Sequence, residues 1–484
     1  MSRRPNPLTG LLALASLAVL LSSPSAASAA SRYRVVDLGF VPSATSAIPA
    51  RFGVAGTLVG WCNLPGTFGG HAASWSLSPT GQPLGVVDLN GLPNNDWSAA
   101  YGVNSAGWVV GYSNTDKPQP RPVLWRNGQV VDIDKGSYGN ANVYAFDIND
   151  SNVICGMITK SGGGGGWDAA VWTEDPARPG RFDRIFLPMH PSADPIFGWT
   201  EAQSMLEDGR IFGRTNTGVG DRATLWDADT AHAAVLLEPL ADTYSNQTMP
   251  GDINDLGDAV GYTMLPFGMY RATRWSRDAA HTPSELPAWP GHNSAMAMVI
   301  SPAGDIVLGM SNLIDPSVFP WISLEQRMIL WQDGVLFDLD QQLDASGAGW
   351  TLESVNDLDS RGWIAASARR AGVLHAVLLI PVAEVTAVGP PLAIAVQLAS
   401  APNPARDVVQ LSFTLPHAGA ARVLITDVQG RHVRTLLSGE RPAGPQQVAW
   451  DGLDASGARV APGLYLGVLE TAAGRSSTRI AQAR

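Results

Sequence analysis

The feature that most constrains this chain is an internal repeat of about 50 residues. One copy, residues 100–133, reads AYGVNSAGWVVGYSN, then a variable loop, then RPVLWRNGQVVDI. Apolar and polar residues alternate, and Gly, Asn or Asp stands at each join. Each copy therefore predicts four short strands linked by tight turns. A repeat of this length with four strands is typical of a β-propeller, in which each copy forms one sheet.

Three features stay in register across seven copies of the repeat. The third strand ends in an apolar position that recurs every 47–56 residues, at Trp75, Trp125, Trp172, Trp226, Trp275, Trp331 and Leu379. The second strand carries a glycine in six copies, at Gly60, Gly111, Gly156, Gly213, Gly261 and Gly309. Four residues before each third-strand position lie His71, Arg121, Asp168, Arg222, Arg271, Arg327 and His375. Because His and Arg exchange there, we interpret that position as a polar contact at the strand edge.

Copy seven lacks its fourth strand, because the chain continues from its third strand into PVAEVTAVGPP. The missing strand is at the N-terminus, where YRVVDLGF (residues 33–40) has the sequence of a fourth strand. Its Asp37-Leu38 corresponds to Asp88-Leu89 and Asp338-Leu339 in other copies. An open array would leave unpaired strand edges. We therefore predict an all-β fold, a seven-bladed β-propeller closed by the N-terminal strand.

Several stretches of the repeat also match a known family. These are HAASW (71–75), VVDLGF (35–40), GVNSAGWVVG (102–111) and DINDLGDAVG (252–261). At these residues the chain resembles the HAF-repeat extracellular proteins, whose repeat contains His-Ala-Phe-x-Trp, Asp-Leu-Gly and Ile-Asn-x-x-Gly-x-Val-Val-Gly. The resemblance implies the repeat architecture and no established activity.

The pattern changes after the proline-rich residues 389–391. Residues 396–484 contain about seven short strands, a spacing typical of a small β-sandwich. The stretches PNP (402–404), DVQGR (427–431), WDGLDASG (450–457) and PGLY (462–465) resemble the immunoglobulin-like module of flagellar hook-capping type. That module is related to the C-terminal sorting domains of the type IX secretion system. The resemblance implies a role in secretion or surface attachment, although the final STRIAQAR is more polar than is usual there.

The N-terminus predicts export. Arg3 and Arg4 precede an apolar segment (11–21), and the small residues 25–30 offer cleavage sites of the A-x-A type. The predicted organisation is a signal peptide (1–30), a seven-bladed propeller (31–382), a linker (383–395) and an immunoglobulin-like C-terminal sorting-type domain (396–484). We expect a secreted or cell-surface protein without a transmembrane segment after signal cleavage.

Composition narrows the choice of partners. The formal net charge is −11, and the lysines are Lys117, Lys135 and Lys160, which argues against nucleic acid as the partner. The partners that we expect are therefore an extracellular protein or glycan and the secretion machinery. Cys62 and Cys155 lie in non-adjacent copies, too far apart for a disulfide, so we expect buried free thiols.

Candidate ligand-binding residues fall into two groups. Asp147 and Asp252 lie two residues before the repeat Asn, where converging carboxylates form either a glycosidase-like pair, a cation site or solvated lining of a channel. Trp97, Trp199, Trp289 and Trp350 lie in loops and are candidates for stacking on carbohydrate. Asp252, Asn254 and Asp258 have spacing that suits Ca²⁺, with a hairpin turn as the alternative interpretation.

No further catalytic motif is present. The histidines lack H-E-x-x-H spacing, and the chain has neither a Gly-x-Ser-x-Gly elbow nor a phosphate-binding loop. No cofactor is predicted, apart from the calcium alternative. The sequence favours an exported, non-catalytic binding or cell-surface protein. The alternative is a secreted propeller enzyme, a glycoside hydrolase or lyase, acting on polysaccharide.

Overall fold

The computed structural model describes most of the 484 residues of the chain. The described residues are 32–66, 69–94, 97–117, 119–135, 141–160, 166–193, 198–241, 247–317, 322–382, 392–393, 398–415, 419–427, 431–442, 444–471 and 474–483. The predicted signal peptide (1–30) and most of the predicted linker (383–395) lie outside these residues. Within the described ranges, no helix is long and apolar enough to cross a membrane.

The fold is all-β, as the sequence predicts. Each copy of the repeat forms one antiparallel sheet whose strands follow one another in chain order. The first strand of the chain is β1 (Arg32–Asp37). Sheet 1 contains β2 (Ser46–Phe52), β3 (Thr57–Asn63), β4 (Gly70–Leu77) and β5 (Pro83–Asp88). Sheet 2 contains β6 (Ser98–Val103), β7 (Val109–Ser113), β8 (Arg121–Arg126) and β9 (Gln129–Asp132). Sheet 3 contains β10 (Val143–Ile148), β11 (Ile154–Thr159), β12 (Trp167–Glu174) and β13 (Phe182–Phe186).

The next sheets repeat this order. Sheet 4 contains β14 (Thr200–Met205), β15 (Ile211–Thr217), β16 (Gly220–Trp226) and β17 (Ala234–Leu236). Sheet 5 contains β18 (Thr248–Ile253), β19 (Ala259–Met264), β20 (Tyr270–Trp275) and β21 (Pro283–Glu285). Sheet 6 contains β22 (Ser294–Ile300), β23 (Ile306–Asp315), β24 (Ile322–Gln332) and β25 (Val335–Asp338). Short 3-10 helices lie at Val54–Gly56, Pro266–Gly268, Asp340–Gln342 and Ala345–Gly347.

Sheet 7 combines the two ends of the repeat region. It contains β26 (Thr351–Leu358), β27 (Ile364–Arg370) and β28 (Val373–Val382), and β1 is its fourth strand. β1 pairs antiparallel with β28, with Val35 opposite Leu379 and Asp37 opposite Val377. This is the pairing predicted for residues 33–40. A further short strand, β29 (Leu392–Ala393), adds to the edge of β25 in sheet 6.

Turn residues explain why the hairpins close where they do. Asn127-Gly128, between β8 and β9, has φ values of 52° and 71°. Asp333-Gly334, between β24 and β25, has φ values of 52° and 73°. Positive φ at both central residues is the geometry of a type I′ turn, which Asn-Gly and Asp-Gly favour.

The repeat tryptophan joins neighbouring sheets. Its ring is buried, and in five of the six copies its indole N–H donates to a backbone carbonyl just after the fourth strand of the preceding sheet. The bonds run from Trp75 to Gly39 (3.1 Å), Trp125 to Asn90 (2.9 Å), Trp226 to Pro188 (2.9 Å), Trp275 to Glu238 (2.7 Å) and Trp331 to Pro287 (3.0 Å). Burial therefore leaves these indole donors satisfied, and each bond fixes one sheet against the next.

In five copies, the side chain at the His/Arg position contacts an acidic residue of the fourth strand. His71 Nδ1 lies 2.8 Å from Asp88 Oδ2 in sheet 1, and His375 Nδ1 lies 3.0 Å from Asp37 Oδ2 in sheet 7. Arg121 pairs with Asp132, Arg271 with Glu285 and Arg327 with Asp338 in the same way. Each pair links the third strand to the fourth, so Asp37 again behaves as a fourth-strand residue.

Buried apolar clusters connect neighbouring sheets throughout the repeat region. Each sheet shares a buried cluster with the next sheet along the chain. One cluster also joins the last sheet to the first, with Leu378 of sheet 7 packed among Leu58 and Trp75 of sheet 1. Burial of such side chains stabilises each sheet only in the presence of its neighbour.

The C-terminal region forms two packed sheets. Its strands are β30 (Ala399–Ala401), β31 (Val409–Leu415), β32 (Gly419–Asp427), β33 (His432–Arg441), β34 (Gly444–Trp450), β35 (Gly463–Thr471) and β36 (Gly474–Gln482). Sheet 8 has the order β30-β31-β34, and sheet 9 has the order β33-β32-β35-β36. Trp450 is fully buried between them, and its ring packs edge-on against Tyr465. The PNP stretch holds the last strand, because Asn403 accepts from the Ala481 amide (2.9 Å) and donates to the Arg479 carbonyl (2.6 Å).

Candidate functional site

A cavity of about 800 Å³ lies where the first strands of sheets 1 to 7 end. Every one of these sheets contributes lining residues, from the end of its first strand and the turn that follows. One residue from each sheet in turn is Arg51, Val103, Asp147, Met205, Asp252, Ile300 and Asp357. The first strands of the sheets therefore converge on a common space.

A β-bulge in each first strand aims side chains into this space. In sheets 1 to 6 the pairing register shifts once in the strand, which leaves Ala50, Tyr101, Phe146, Gln203, Gly251 and Met298 unpaired. In sheet 7 the register shifts twice, at Glu353 and at Asn356, and Asn356 is the bulge residue equivalent to those of the other sheets. Bulges bend a strand and redirect the residues beside them, and they are frequent next to functional sites.

The residues directly after the bulges share one register of the first strands, which we call the tier, and four of them, Arg51, Asp147, Asp252 and Asp357, line the cavity. The tier residues are Arg51, Gly102, Asp147, Ser204, Asp252, Val299 and Asp357. Sheets 3, 5 and 7 supply carboxylates, and sheet 1 supplies a guanidinium. The tier therefore brings together both aspartates that the sequence singled out, Asp147 and Asp252. It adds Arg51 and Asp357, which sequence reasoning missed.

Arg51 and Asp147 form the closest ion pair of the tier. Arg51 Nη1 lies 3.4 Å from Asp147 Oδ2, and the Asp147 side chain is only 3% exposed against 33% for Arg51. Asp147 raises the pKa of Arg51. The absence of a side chain at Gly102 leaves room for Asp147 of the neighbouring sheet, because a Cβ at residue 102 would lie 2.8 Å from the Asp147 Cα. A side chain in place of Gly102 would displace Asp147 from the cavity wall.

Each aspartate of the tier also bonds to the backbone of the next sheet. The Oδ2 atom of Asp147 accepts from the Met205 amide (3.0 Å) and that of Asp252 accepts from the Ile300 amide (3.1 Å). Asp357 closes the series, because its Oδ2 accepts from the Phe52 amide of sheet 1 at 2.7 Å. The three carboxylates thus tie sheet 3 to sheet 4, sheet 5 to sheet 6 and sheet 7 to sheet 1. They are used as structural links between first strands.

Burial changes the protonation of these carboxyls. Removal from water raises the pKa of Asp147, Asp357 and Asp252, the last to about 6. The positive charge of Arg51 lowers the pKa of all three carboxyls, whereas the negative charge of Asp357 raises the pKa of Asp252 further. One guanidinium is not enough to compensate three carboxylates in a poorly solvated position, which is the physical reason for the raised values.

A second set of acids surrounds the cavity at the turns. Asp150 accepts from the Ser105 amide (2.7 Å), Glu207 accepts from the Asp150 amide (2.8 Å), and Asp255 accepts from the Glu207 amide (3.2 Å). Burial, with Asp150 and Asp255 nearby, raises the pKa of Glu207. Together with Asp359 and the three tier aspartates, these acids bring the number of carboxyl groups in the cavity lining to seven. The lining contains two arginines, Arg51 and Arg361. The cavity therefore repels anions.

Of the residues of the calcium alternative, Asn254 and Asp258 are engaged in the turn between β18 and β19 of sheet 5. Asn254 accepts from the Asp258 amide (3.0 Å) and donates to the Ser301 carbonyl (3.1 Å). Asp258 forms ion pairs with Arg274 (3.2 Å) and Arg277 (3.4 Å). Across the described part of the chain, no group of three or more His, Cys, Asp or Glu side chains is arranged to hold a metal ion.

The four candidate loop tryptophans have different surroundings. A guanidinium covers a ring face in three of them: Arg214 over Trp199 (4.8 Å), Arg327 over Trp289 (5.4 Å) and Arg370 over Trp350 (5.1 Å). Trp350 is moreover buried, with 9% exposure. Trp97 differs, since its ring packs edge-on against Tyr112 at a centroid distance of 4.9 Å. The structure does not bring the four indoles together.

Comparison with known proteins adds information about the C-terminal region. Residues 405–474 match the FlgD Ig-like domain family, so the two-sheet C-terminal region contains an Ig-like domain. No curated protein matches the chain in sequence.

Several solved structures are similar to the chain. PorZ, described as an essential bacterial surface component of the type-IX secretion system of Porphyromonas gingivalis, has 16% identity over 89% of this chain and 64% of its own, with a TM-score of 0.31. Dimeric latent PorU from the same bacterium has 11% identity over 80% and 32% of the two chains, with a TM-score of 0.18. The sialidase of Trypanosoma rangeli has 12% identity over 92% and 85%, with a TM-score of 0.34. The chain thus spans less than two thirds of PorZ and about a third of PorU.

The chain belongs to the class of all-β proteins built from repeated four-stranded sheets. It combines that array with a C-terminal Ig-like domain.

Proposed function

We propose that this chain is an exported, non-catalytic binding protein built on a seven-bladed β-propeller. In this proposal residues 1–30 are a signal peptide, 31–382 form the propeller, 383–395 are a linker and 396–484 form the Ig-like module. Ring closure is supported by the cavity that all the repeat sheets line and by the cluster shared by sheets 7 and 1. In the closed ring, β1 is the outer strand of sheet 7 and pairs with the edge of β28 that would otherwise be free.

The observation that carries the non-catalytic proposal is the bonding of the tier aspartates. Asp147, Asp252 and Asp357 each hold a backbone amide of the neighbouring sheet at 2.7–3.1 Å. A general acid or base must be free to exchange a proton with a substrate within hydrogen-bond reach. These carboxyls instead serve as links, so the cavity offers a shaped, negatively charged surface rather than a reacting pair.

A binding screen tests this proposal. The mature protein, without its predicted signal peptide, is passed over immobilised glycans and extracellular proteins. We expect retention of one neutral or basic class and no retention of anionic polymers, because the cavity lining is acidic. Retention confined to acidic glycans or nucleic acid would contradict the proposal.

The C-terminal module is proposed to direct secretion or surface attachment. Support comes from the match of residues 405–474 to the FlgD Ig-like domain, together with the resemblance of this region to sorting modules. The proposed partner is the secretion machinery, and the proposed location is the cell surface or the medium. Comparing the mass of the exported protein with that of its precursor tests whether the module is removed. Equal export and equal surface retention of a chain lacking residues 396–484 would contradict a role in secretion or attachment.

One observation favours a second candidate function, a glycan-cleaving enzyme. Asp252 borders the cavity and has its pKa raised to about 6, the range useful to a general acid. The discriminating experiment is the release of new reducing ends from polysaccharides by the wild-type protein and by Asp252→Asn. Release that disappears in the variant would establish the enzyme and overturn the binding proposal.

A further inference from the structure

Six aromatic side chains on or directly before the first and second strands of sheets 1, 2 and 3 form a continuous group. They are Trp61, Trp97, Tyr101, Tyr112, Tyr144 and Phe146, and we call them the aromatic tract. The ring centroids are separated by 5.7 Å for Trp61–Tyr101, 4.9 Å for Trp97–Tyr112, 5.8 Å for Tyr101–Tyr112, 5.5 Å for Tyr101–Phe146, 5.1 Å for Tyr112–Tyr144 and 5.9 Å for Tyr144–Phe146. Every member therefore contacts at least one other.

The position of Tyr101 locates the tract. Tyr101 contacts Trp61 of sheet 1 on one side and Phe146 of sheet 3 on the other. A side chain of sheet 2 that touches both neighbouring sheets must lie at the edge where the sheets converge. Tyr101 and Phe146 are both unpaired bulge residues, and Phe146 directly precedes Asp147. The tract consequently borders the tier of Arg51 and the three aspartates.

The rings of the tract are partly exposed although their neighbours along the strand are buried. Tyr112 lies between the buried Gly111 and Ser113, and Tyr101 lies between the buried Ala100 and Gly102. The rest of the fold therefore leaves a connected aromatic surface accessible to solvent. Such surfaces mark binding sites more often than isolated exposed rings do.

The tract is uncharged and carries hydroxyl groups. Tyr101 and Tyr112 share a hydrogen bond, and burial raises the pKa of Tyr101, Tyr112 and Tyr144. These hydroxyls stay protonated at physiological pH and remain able to donate. The surface thus combines flat apolar faces with neutral polar groups, and at Phe146 it adjoins Asp147 of the acidic tier.

We propose that the aromatic tract binds an uncharged oligosaccharide. A pyranose ring presents an apolar face of C–H groups that packs on aromatic rings, and hydroxyls at its rim that pair with tyrosine hydroxyls. An acidic sugar is disfavoured by the neighbouring carboxyls, and an apolar ligand would leave the tyrosine hydroxyls unpaired. The inference rests on the proposed binding function and names its ligand class and location.

Calorimetry with neutral hexasaccharides of β-1,4-linked glucose, xylose, mannose and N-acetylglucosamine tests the proposal, with hexagalacturonate as the charged probe. We expect at least one neutral sugar to bind and the charged one to bind at least tenfold more weakly. Tyr101→Ala is expected to weaken binding at least tenfold. Tyr262→Ala is the matched control, because Tyr262 follows the repeat glycine of sheet 5, outside the tract, and contacts Tyr270. It should bind like the wild type.

Further variants keep the test decisive if Tyr101→Ala fails to fold. Trp97→Leu removes a ring at one end of the tract, where Trp97 contacts Tyr112, and Tyr112→Phe removes a hydroxyl while keeping the ring. The first should weaken binding at least tenfold and the second less. The proposal is overturned if none of the neutral hexasaccharides binds, if hexagalacturonate binds equally well, or if Trp97→Leu and Tyr262→Ala behave alike. Shortened sugars in the cell after titration would instead count against the non-catalytic function.

Discussion

The indole Nε1 of Trp75 donates a hydrogen bond to the carbonyl oxygen of Gly39, 3.1 Å away. Trp75 lies in β4 of sheet 1, whereas Gly39 follows β1, the N-terminal strand of sheet 7. The same bond joins Trp125 of sheet 2 to Asn90, at the end of sheet 1, at 2.9 Å. The contact between sheets 7 and 1 therefore repeats the contact between consecutive sheets, and the N-terminal segment takes the place of a fourth strand.

Replacement of Trp75 by phenylalanine should measure this bond. The variant keeps an aromatic ring in the core but leaves the Gly39 carbonyl without its donor and creates a small void. We expect the free energy of unfolding to fall by about 1–3 kcal/mol in urea denaturation. Trp125→Phe is the matched control, and its loss should be similar. A negligible effect of Trp75→Phe beside a normal effect of Trp125→Phe would mean that residues 38–40 are not held like other fourth-strand ends.

Deletion of residues 31–40 should loosen one region of the repeat. Without β1, the outer edge of β28 is unpaired and the cluster between sheets 7 and 1 loses Leu38, which is 3% exposed. Hydrogen exchange measured by mass spectrometry should increase in β28 (Val373–Val382) and β4 (Gly70–Leu77) more than in β11 (Ile154–Thr159). An equal increase in all three strands would contradict a local role for β1.

Asp252 should make stability depend on pH. Burial raises its folded-state pKa to about 6, while an unfolded aspartate has a pKa of about 3.9. Between these values the folded protein binds more protons than the unfolded chain, so this group's contribution is largest below about pH 4 and is lost as the pH rises through about 6. Asp252→Asn still offers an acceptor to the Ile300 amide. It should be more stable than wild type by up to about 3 kcal/mol above pH 7.

Urea denaturation from pH 4 to pH 8 checks this prediction. The difference in free energy of unfolding between Asp252→Asn and the wild type should grow with pH up to about 7. Ser204→Ala changes the equivalent, non-titrating position of sheet 4 and should show no such trend. Parallel curves for Asp252→Asn and the wild type would indicate that the carboxyl is charged and well compensated in the folded state.

The two cysteines should be unreactive in the native protein. Cys62 and Cys155 are buried free thiols in sheets 1 and 3, as expected from their spacing in the sequence. Burial raises the pKa of Cys62 to about 11 and that of Cys155 well above its usual range, so little thiolate is present. Mass spectrometry after iodoacetamide treatment at pH 8 should find neither modified in the native state and both modified in urea. Rapid native modification of either would contradict its burial.

Much of the fold follows from the repeat. The tryptophan, glycine and His/Arg positions recur at intervals of about 50 residues, and each has a recurring physical role. The tryptophan supplies a buried indole donor, the glycine permits a close strand approach, and the His or Arg contacts an acidic residue of the fourth strand. The glycine is needed because a Cβ at Gly111 would lie 1.9 Å from the Ala99 carbonyl oxygen. The role of a residue can be predicted from sequence when its contacts lie within its own copy of the repeat or the adjacent copy.

The tier of Arg51 and the three aspartates is only partly visible in the sequence. Asp147 and Asp252 stand two residues before the repeat Asn, which makes them easy to find. Arg51 and Asp357 occupy the same register, but the repeat Asn is replaced by Gly53 and Asp359. Counting the register through all copies, rather than looking for the Asn, would have found them.

The aromatic tract could not be predicted from the alternation of residues along a strand. Tyr101 and Phe146 are bulge residues, and a bulge breaks the two-residue period that assigns side chains to faces. Their contacts also join three sheets, so no single copy of the repeat contains the group. The sequence suggested the loop tryptophans as ligand-binding residues, because it does not show which rings become covered by arginines on folding. Arg214 over Trp199 is an example.

The central claim is that the space at the convergence of the sheets binds a ligand without transforming it. The most direct measurement is chromatography of a neutral hexasaccharide after prolonged incubation with the wild-type protein and with Asp252→Asn. We predict that the sugar is bound and recovered intact with both proteins. Accumulation of shorter products beyond one equivalent of the wild-type protein, abolished in Asp252→Asn, would contradict the claim.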